Sequence, residues 1–194
     1  MRKLKKSRDI VVIVGKTGTG KTYYANEYLY EYNRVIIIDP LDEYAGLAFN
    51  TYSDLIMHCM DNPIFRVKMI DIQPDTLEEV SSIAYGLGSC CLCVEEAQRS
   101  IPWGREELPE SFADILYRGR HLNLSLVVVA QRASTINIAL RSQYTKIISF
   151  SQTEQADLEW LFKCTGYKEV YDLRTFTGHE HFIITPSGIE KISN

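Results

Sequence analysis

IVVIVGKTGTGKT, residues 10–22, decides the fold of this chain. The apolar run Ile10 to Val14 reads as a buried strand. Gly15, Lys16, Thr17, Gly18, Thr19, Gly20, Lys21 and Thr22 then follow the pattern G-x-x-x-x-G-K-[ST], and KTYYANEYLYEY continues as a helix. A strand before and a helix after is the setting in which this pattern cradles phosphate. Gly15, Gly18 and Gly20 let the backbone turn tightly enough for successive N–H groups to point inward at phosphate oxygens. The positive end of the helix acts on the same place. Lys21 is placed to reach the β- and γ-phosphates, and the Thr22 hydroxyl to ligate Mg²⁺. These residues predict a nucleotide-binding protein.

Further along, apolar runs end in polar residues at regular intervals. Val35–Ile38 ends in Asp39-Pro40, and the polar DPLDEYAGL that follows lies at the carboxyl end of a strand, where open α/β sheets bind ligands. IFRVKMI alternates as a strand. Cys90–Val94 ends in Glu95-Glu96, Leu124–Ala130 in Gln131-Arg132, and Lys146–Phe150 forms another strand. Helical segments separate them: one capped by Ser53, one from Pro74-Asp75-Thr76 to Tyr85, one from Pro109 to about Arg120, one near Ile136–Ser142, and one capped by Thr153 and ended by Gly166. HFIIT and IEKI close the chain as a strand pair around Pro186-Ser187-Gly188. Buried strands alternating with helices predict an α/β fold, a mostly parallel sheet with helices on both faces. The 194 residues suit one domain over 10–194 behind a basic flexible arm, 1–9.

Charge is unevenly spread. The net charge is −4, yet residues 1–8 carry five basic side chains and no acid, leaving 16 basic against 25 acidic residues in the remainder. A basic arm can touch nucleic acid or an anionic surface, or simply solubilise the chain. The acidic body argues against a broad DNA-coating surface but leaves room for a narrow basic channel. No stretch approaches the ~20 apolar residues of a membrane span. The five cysteines, an odd number, favour free thiols in a reducing compartment. Strand alternation puts Cys91 and Cys93 on one face and Cys90 on the other, which suits buried hydrophobes better than zinc.

Glu95-Glu96, directly after a buried strand, supplies the second half of a hydrolytic site. Glu95 would hold Mg²⁺ through water and Glu96 would orient and deprotonate the attacking water. Gln131 ends a neighbouring strand, where an amide can donate to the γ-phosphate and accept from the lytic water.

In this order, GKTGTGKT, IIIDPLDEYAGL, CLCVEEAQ and YRGRHLNLSLVVVAQR resemble the HerA/FtsK superfamily of P-loop motor ATPases, and most closely its small viral genome-packaging members. Asp39, Pro40, Glu43 and Tyr44 look like the HerA-type signature after the second strand. Arg118, Arg120 and His121, followed by Gln131 and Arg132, form the most specific part. The resemblance covers roughly residues 10–150. Most proteins of this type carry aspartate where Glu95 stands, so the longer Glu95 is a departure that bears on which of the two glutamates takes which role. The resemblance implies a RecA-like core, ATP and Mg²⁺ as cofactors, and a homo-oligomeric ring, usually a hexamer. It also implies sites at subunit boundaries, completed by an arginine of the neighbouring subunit. Arg120 fits that arginine best and Arg118 second; the alternative role for both is to complement a helix C-terminus.

With the resemblance, these readings imply a ring-forming, Mg²⁺-dependent ATP hydrolase that moves double-stranded DNA, packaging a viral genome into a capsid, with the host cytoplasm, in association with a virion vertex, as its place of work and a capsid or portal component as its partner. Alternatives are a secretion, conjugation or virion-assembly ATPase of the same superfamily, a small P-loop kinase, or a non-hydrolysing nucleotide-dependent scaffold. The segment Gln98–Glu107, with Arg99, Trp103 and Arg105, is a candidate for gripping DNA, but we read it as a surface loop pinned by a buried Trp103. His179 and His181 are read as structural residues on one side of a late strand. The five tyrosines from Tyr23 to Tyr32 are read as core and subunit contacts.

Overall fold

The computed structural model describes residues 8–193. Nine strands form one sheet in the order β3-β4-β2-β5-β6-β1-β7-β8-β9. In chain order these are β1 (Ile10–Val14), β2 (Arg34–Ile38), β3 (Leu47–Phe49), β4 (Phe65–Met69), β5 (Cys91–Val94), β6 (Ser125–Ala130), β7 (Lys146–Phe150), β8 (His181–Thr185) and β9 (Gly188–Ile192). The first seven pair in parallel; β8 and β9 add an antiparallel hairpin at one edge. The helices are α1 (Lys21–Leu29), α2 (Tyr52–Asp61), α3 (Thr76–Leu87), α4 (Ala97–Ser100), α5 (Glu110–Arg118), α6 (Ile138–Gln143) and α7 (Gln155–Thr165). The expected α/β architecture, with its C-terminal strand pair, is the observed one.

The central strands are buried along their whole length, which explains their unbroken apolar sequence. The two faces are unequal. One packs Ile10, Val12, Ile36, Leu92 and Val128 against apolar residues of α2, α3, α5 and α7. The other packs Val11, Ile13, Val35, Cys91, Cys93 and Val127 against Ala25, Tyr28 and Leu29 of α1, together with Tyr44. Cys90 lies on the first face and Cys91 and Cys93 on the second, as strand alternation requires, and among the described residues no disulfide joins two cysteines.

Several local expectations change. The α2 cap is Thr51, whose hydroxyl accepts from the Asp54 amide, rather than Ser53. Glu154 rather than Thr153 precedes the first turn of α7. The three-residue strand β3 and the 3₁₀ turn at Lys168–Thr175 carry no periodicity that a sequence could reveal. Trp103 is not buried; it is 63% exposed. Its loop is held instead by the buried Asn137, whose amide donates to the carbonyls of Pro102 (2.9 Å) and Glu106 (3.0 Å). Of the basic arm, residues 1–7 lie outside the described residues. Arg8 is anchored: its guanidinium donates to the carbonyls of Leu124, Ile115 and Leu116 at 2.6–2.9 Å.

Candidate active site

Sheet register gathers the nominated residues. Val14 of β1 pairs with Ala130 of β6, so the phosphate loop and Gln131 leave adjacent strands at one level. Val94 of β5 pairs with Val128 of β6 and with Ile38 of β2, which brings Glu95, Glu96 and the Asp39–Tyr44 loop to the same edge. The glutamine strand lies between the phosphate-loop strand and the carboxylate strand and pairs with both. The resulting cavity, about 690 Å³, is lined by Lys21, Thr22, Glu43, Glu95, Glu96, Gln131 and His179 among others.

The glycines of the loop are needed where they stand. A Cβ on Gly15 would lie 2.5 Å from Phe150 Cβ, and Gly18 and Gly20 adopt φ of 80° and 96°. Lys21, 8% exposed, donates to the Lys16 carbonyl at 2.9 Å across the loop. Burial depresses its pKa, opposed by the nearby carboxylates of Glu95, Glu96 and Glu43. The Thr22 hydroxyl faces Glu43 Oε2 at 3.4 Å.

Glu95 is 3% exposed and accepts a short hydrogen bond from the Tyr44 hydroxyl. Burial pushes its pKa up to about 7; the Tyr44 hydrogen bond and Lys21 work against that rise, and Glu96 and Glu43 add to it. Glu96 has a left-handed backbone, φ 49°, which turns its side chain out of the strand direction. There Gln131 Nε2 donates to Glu96 Oε1 at 2.9 Å, while the Gln98 amide holds the other oxygen.

The Asp39–Tyr44 loop is built from within. Asp39 is fully buried and accepts from the amides of Glu43 (3.1 Å) and Tyr44 (2.9 Å). Lys68 of β4 bridges Asp39 (3.4 Å) and Asp42 (2.5 Å) and donates to the Tyr44 carbonyl. From the sequence this loop is expected at a ligand-binding strand end and resembles a family signature. The sequence did not reveal that Glu43 would face Thr22 and that Tyr44 would hold Glu95.

Arg120 follows α5 in a 3₁₀ turn, Gly119–Leu122, that leads to the start of β6. It is exposed and lies at the opposite end of β6 from Gln131. Six residues of strand, about 20 Å, separate the two ends. Arg118 pairs with Asp114 at 3.1 Å on the same helix, and Arg132 with the buried Asp157 at 3.2 Å. His179 departs from its expected place: it precedes β8 and meets the phosphate loop, with Nδ1 3.0 Å from the Thr19 carbonyl oxygen. His181 is buried against Phe150 and Tyr24. Of the tyrosines, Tyr28 is buried, whereas Tyr23 is 76% exposed and Tyr30 lies under the Arg66 guanidinium.

The donor set suits a magnesium-bound nucleotide. Among the described residues no three histidine, cysteine or acidic side chains group as a closed metal site. Mg²⁺ is ordinarily held through one or two carboxylates together with substrate phosphates and waters. Thr22 and Glu95 beside a backbone cradle offer that arrangement.

The fold is that of P-loop α/β proteins. Residues 10–89 match the family model for helicase HerA, central domain. In structure the chain is similar to the genome packaging NTPase B204 of Sulfolobus turreted icosahedral virus 2 in complex with AMPPCP. The two are 20% identical with a TM-score of 0.79, over 96% of this chain and 97% of that one. VirB4 of Thermoanaerobacter pseudethanolicus is 16% identical with a TM-score of 0.68, over 94% of this chain and 88% of its own. At these identities the likeness is one of fold. No curated protein matches the sequence. Among the described residues no helix is long and apolar enough to cross a membrane.

Proposed function

We propose that the chain is a Mg²⁺-dependent ATP hydrolase that works as a motor on double-stranded DNA, in a homo-oligomeric ring, packaging a viral genome. The observation that carries the hydrolase reading is the meeting of Lys21 and Thr22 with Glu95, Glu96 and Gln131 in one cavity at aligned strand ends. Similarity in fold to B204, a genome packaging NTPase studied with AMPPCP, supports the cargo.

In this reading the phosphate loop, Gly15 to Thr22, binds the nucleotide phosphates through backbone N–H groups. Mg²⁺, when bound, neutralises charge developing on them. Lys21 leaves the Lys16 carbonyl to meet the phosphates. Thr22 and Glu95 would hold the metal, Glu95 through water and as the carboxylate steadied by Tyr44. Glu96 accepts the proton of the attacking water, and Gln131 fixes Glu96 while testing for the terminal phosphate. Arg120 lies too far from its own phosphate loop to serve it, which favours a role across a subunit boundary. An arginine supplied there is worth ~10³–10⁵ in rate. The ring, usually a hexamer in this superfamily, would work in the host cytoplasm or at a virion vertex, against a capsid or portal component.

Steady-state ATP hydrolysis at high protein concentration, with and without double-stranded DNA, tests the proposal. Stimulation by DNA is expected. Hydrolysis indifferent to DNA would instead point to an assembly or secretion ATPase, and absence of hydrolysis would remove the enzyme reading.

A further inference from the structure

His179 belongs to none of the elements that carry the proposed chemistry, yet it touches the phosphate loop. It sits in a closed turn before β8. The Glu180 amide donates to the Thr177 carbonyl at 3.2 Å, the Thr177 amide donates to Glu180 Oε2 at 2.9 Å, and Lys191 of β9 ties Glu180 at 3.0 Å. Behind the turn, His181 Nδ1 donates to the His179 carbonyl at 2.9 Å, and its ring is wedged between Phe150 of β7 and Tyr24 of α1. The turn is therefore fixed to the sheet and to the first helix before His179 reaches the loop.

At the loop the contact is close. A carbonyl oxygen only accepts hydrogen bonds, so Nδ1 of His179 carries the proton shared with Thr19 O at 3.0 Å. The imidazole lies against Gly20, where a Cβ would come within 2.7 Å of Nδ1. The peptide unit joining Thr19 to Gly20 is planar and trans, so its C=O and N–H point in opposite directions. A donor that fixes the Thr19 carbonyl toward the histidine thereby turns the Gly20 N–H the other way. Successive inward N–H groups are the means by which such a loop holds phosphate.

We propose that His179 is a positioning residue for the nucleotide: by holding the Thr19 carbonyl it sets the Gly20 N–H for phosphate, which makes the C-terminal hairpin a working part of the site. The inference rests on the nucleotide reading above. It assigns to the turn between Thr177 and Glu180 a function that neither the phosphate-loop motif nor the acidic strand end contains.

The test compares His179→Ala, His179→Gln and His179→Leu with the unaltered chain, using a fluorescent ATP analogue for affinity, melting temperature for folding, and kcat and KM for turnover. Loss of one such hydrogen bond predicts that His179→Ala weakens the analogue about tenfold at an unchanged melting temperature. KM should rise more than kcat falls. His179→Gln, whose amide can donate to Thr19, should recover most of the affinity, and His179→Leu should not. If His179→Ala melts early, the glutamine and leucine variants carry the comparison. Equal affinity in those two, or affinity in His179→Ala within twofold of the unaltered chain, overturns the inference alone. Failure of the unaltered chain to bind the analogue overturns the nucleotide reading and the inference with it.

Discussion

Gln131 Nε2 donates to Glu96 Oε1 across 2.9 Å, joining the ends of two neighbouring strands inside the phosphate cavity. The bond occupies the carboxylate proposed to take a proton from water, and Gln98 occupies its second oxygen. Two amides therefore fix where Glu96 points before any substrate arrives, and a terminal phosphate that draws Gln131 away would change that position. Glu96→Gln should leave ATP affinity unchanged and lower kcat by ~10²–10⁴, the range for losing a general base. Equilibrium binding and steady-state turnover of the same preparation check this; unchanged turnover would remove Glu96 as the base.

Glu95 predicts a pH effect on stability in the absence of metal and nucleotide. Its folded pKa, about 7, lies above its ordinary value of 4.5. The folded state keeps a proton that the unfolded chain releases, so the associated stability is present below pH 4.5 and is lost as pH rises to about 7. A shift of that size corresponds to an upper figure of roughly 3 kcal/mol. Glu95→Gln should flatten this part of the stability curve and raise stability at pH 8. Urea unfolding at pH 5 and pH 8 measures it, and a parallel loss in both proteins would refute the assignment.

Lys68 is expected to act as the strut of the Asp39–Tyr44 loop. Its removal leaves Asp39 fully buried without its ammonium partner. Lys68→Met should cost roughly 3–5 kcal/mol, as when one member of a buried pair is deleted. Denaturant unfolding reads the loss; a cost under about 1 kcal/mol would mean that the Glu43 and Tyr44 amides suffice for Asp39.

Arg120, at the far end of β6 from the phosphate loop, predicts complementation between subunits. Arg120→Ala and Glu96→Gln chains should each be inactive alone and recover part of the hydrolysis when mixed, because a hybrid boundary can join an intact Glu96 to an intact Arg120. Turnover measured across mixing ratios checks this. No recovery at any ratio would count against an arginine acting in trans.

The sequence by itself determined eight of the nine strands and one wall of the candidate site. Ile10–Val14 running into Gly15–Thr22 is decided by local rules: a buried strand, glycines at φ near 80–96°, and a helix start. Glu95, Glu96 and Gln131 were legible because each ends an apolar run, and parallel register brings such ends to one edge. Tertiary structure alone decided what surrounds them. Lys68 reaches Asp39 from 29 residues away, Tyr44 reaches Glu95 from 51, and His179 reaches Thr19 from 160. Periodicity and spacing report only neighbours along the chain, so they could not show these contacts. Trp103 was misplaced for the same reason: an aromatic in a loop suggests an anchor, but Asn137, from another element, holds that loop and leaves the indole in solvent.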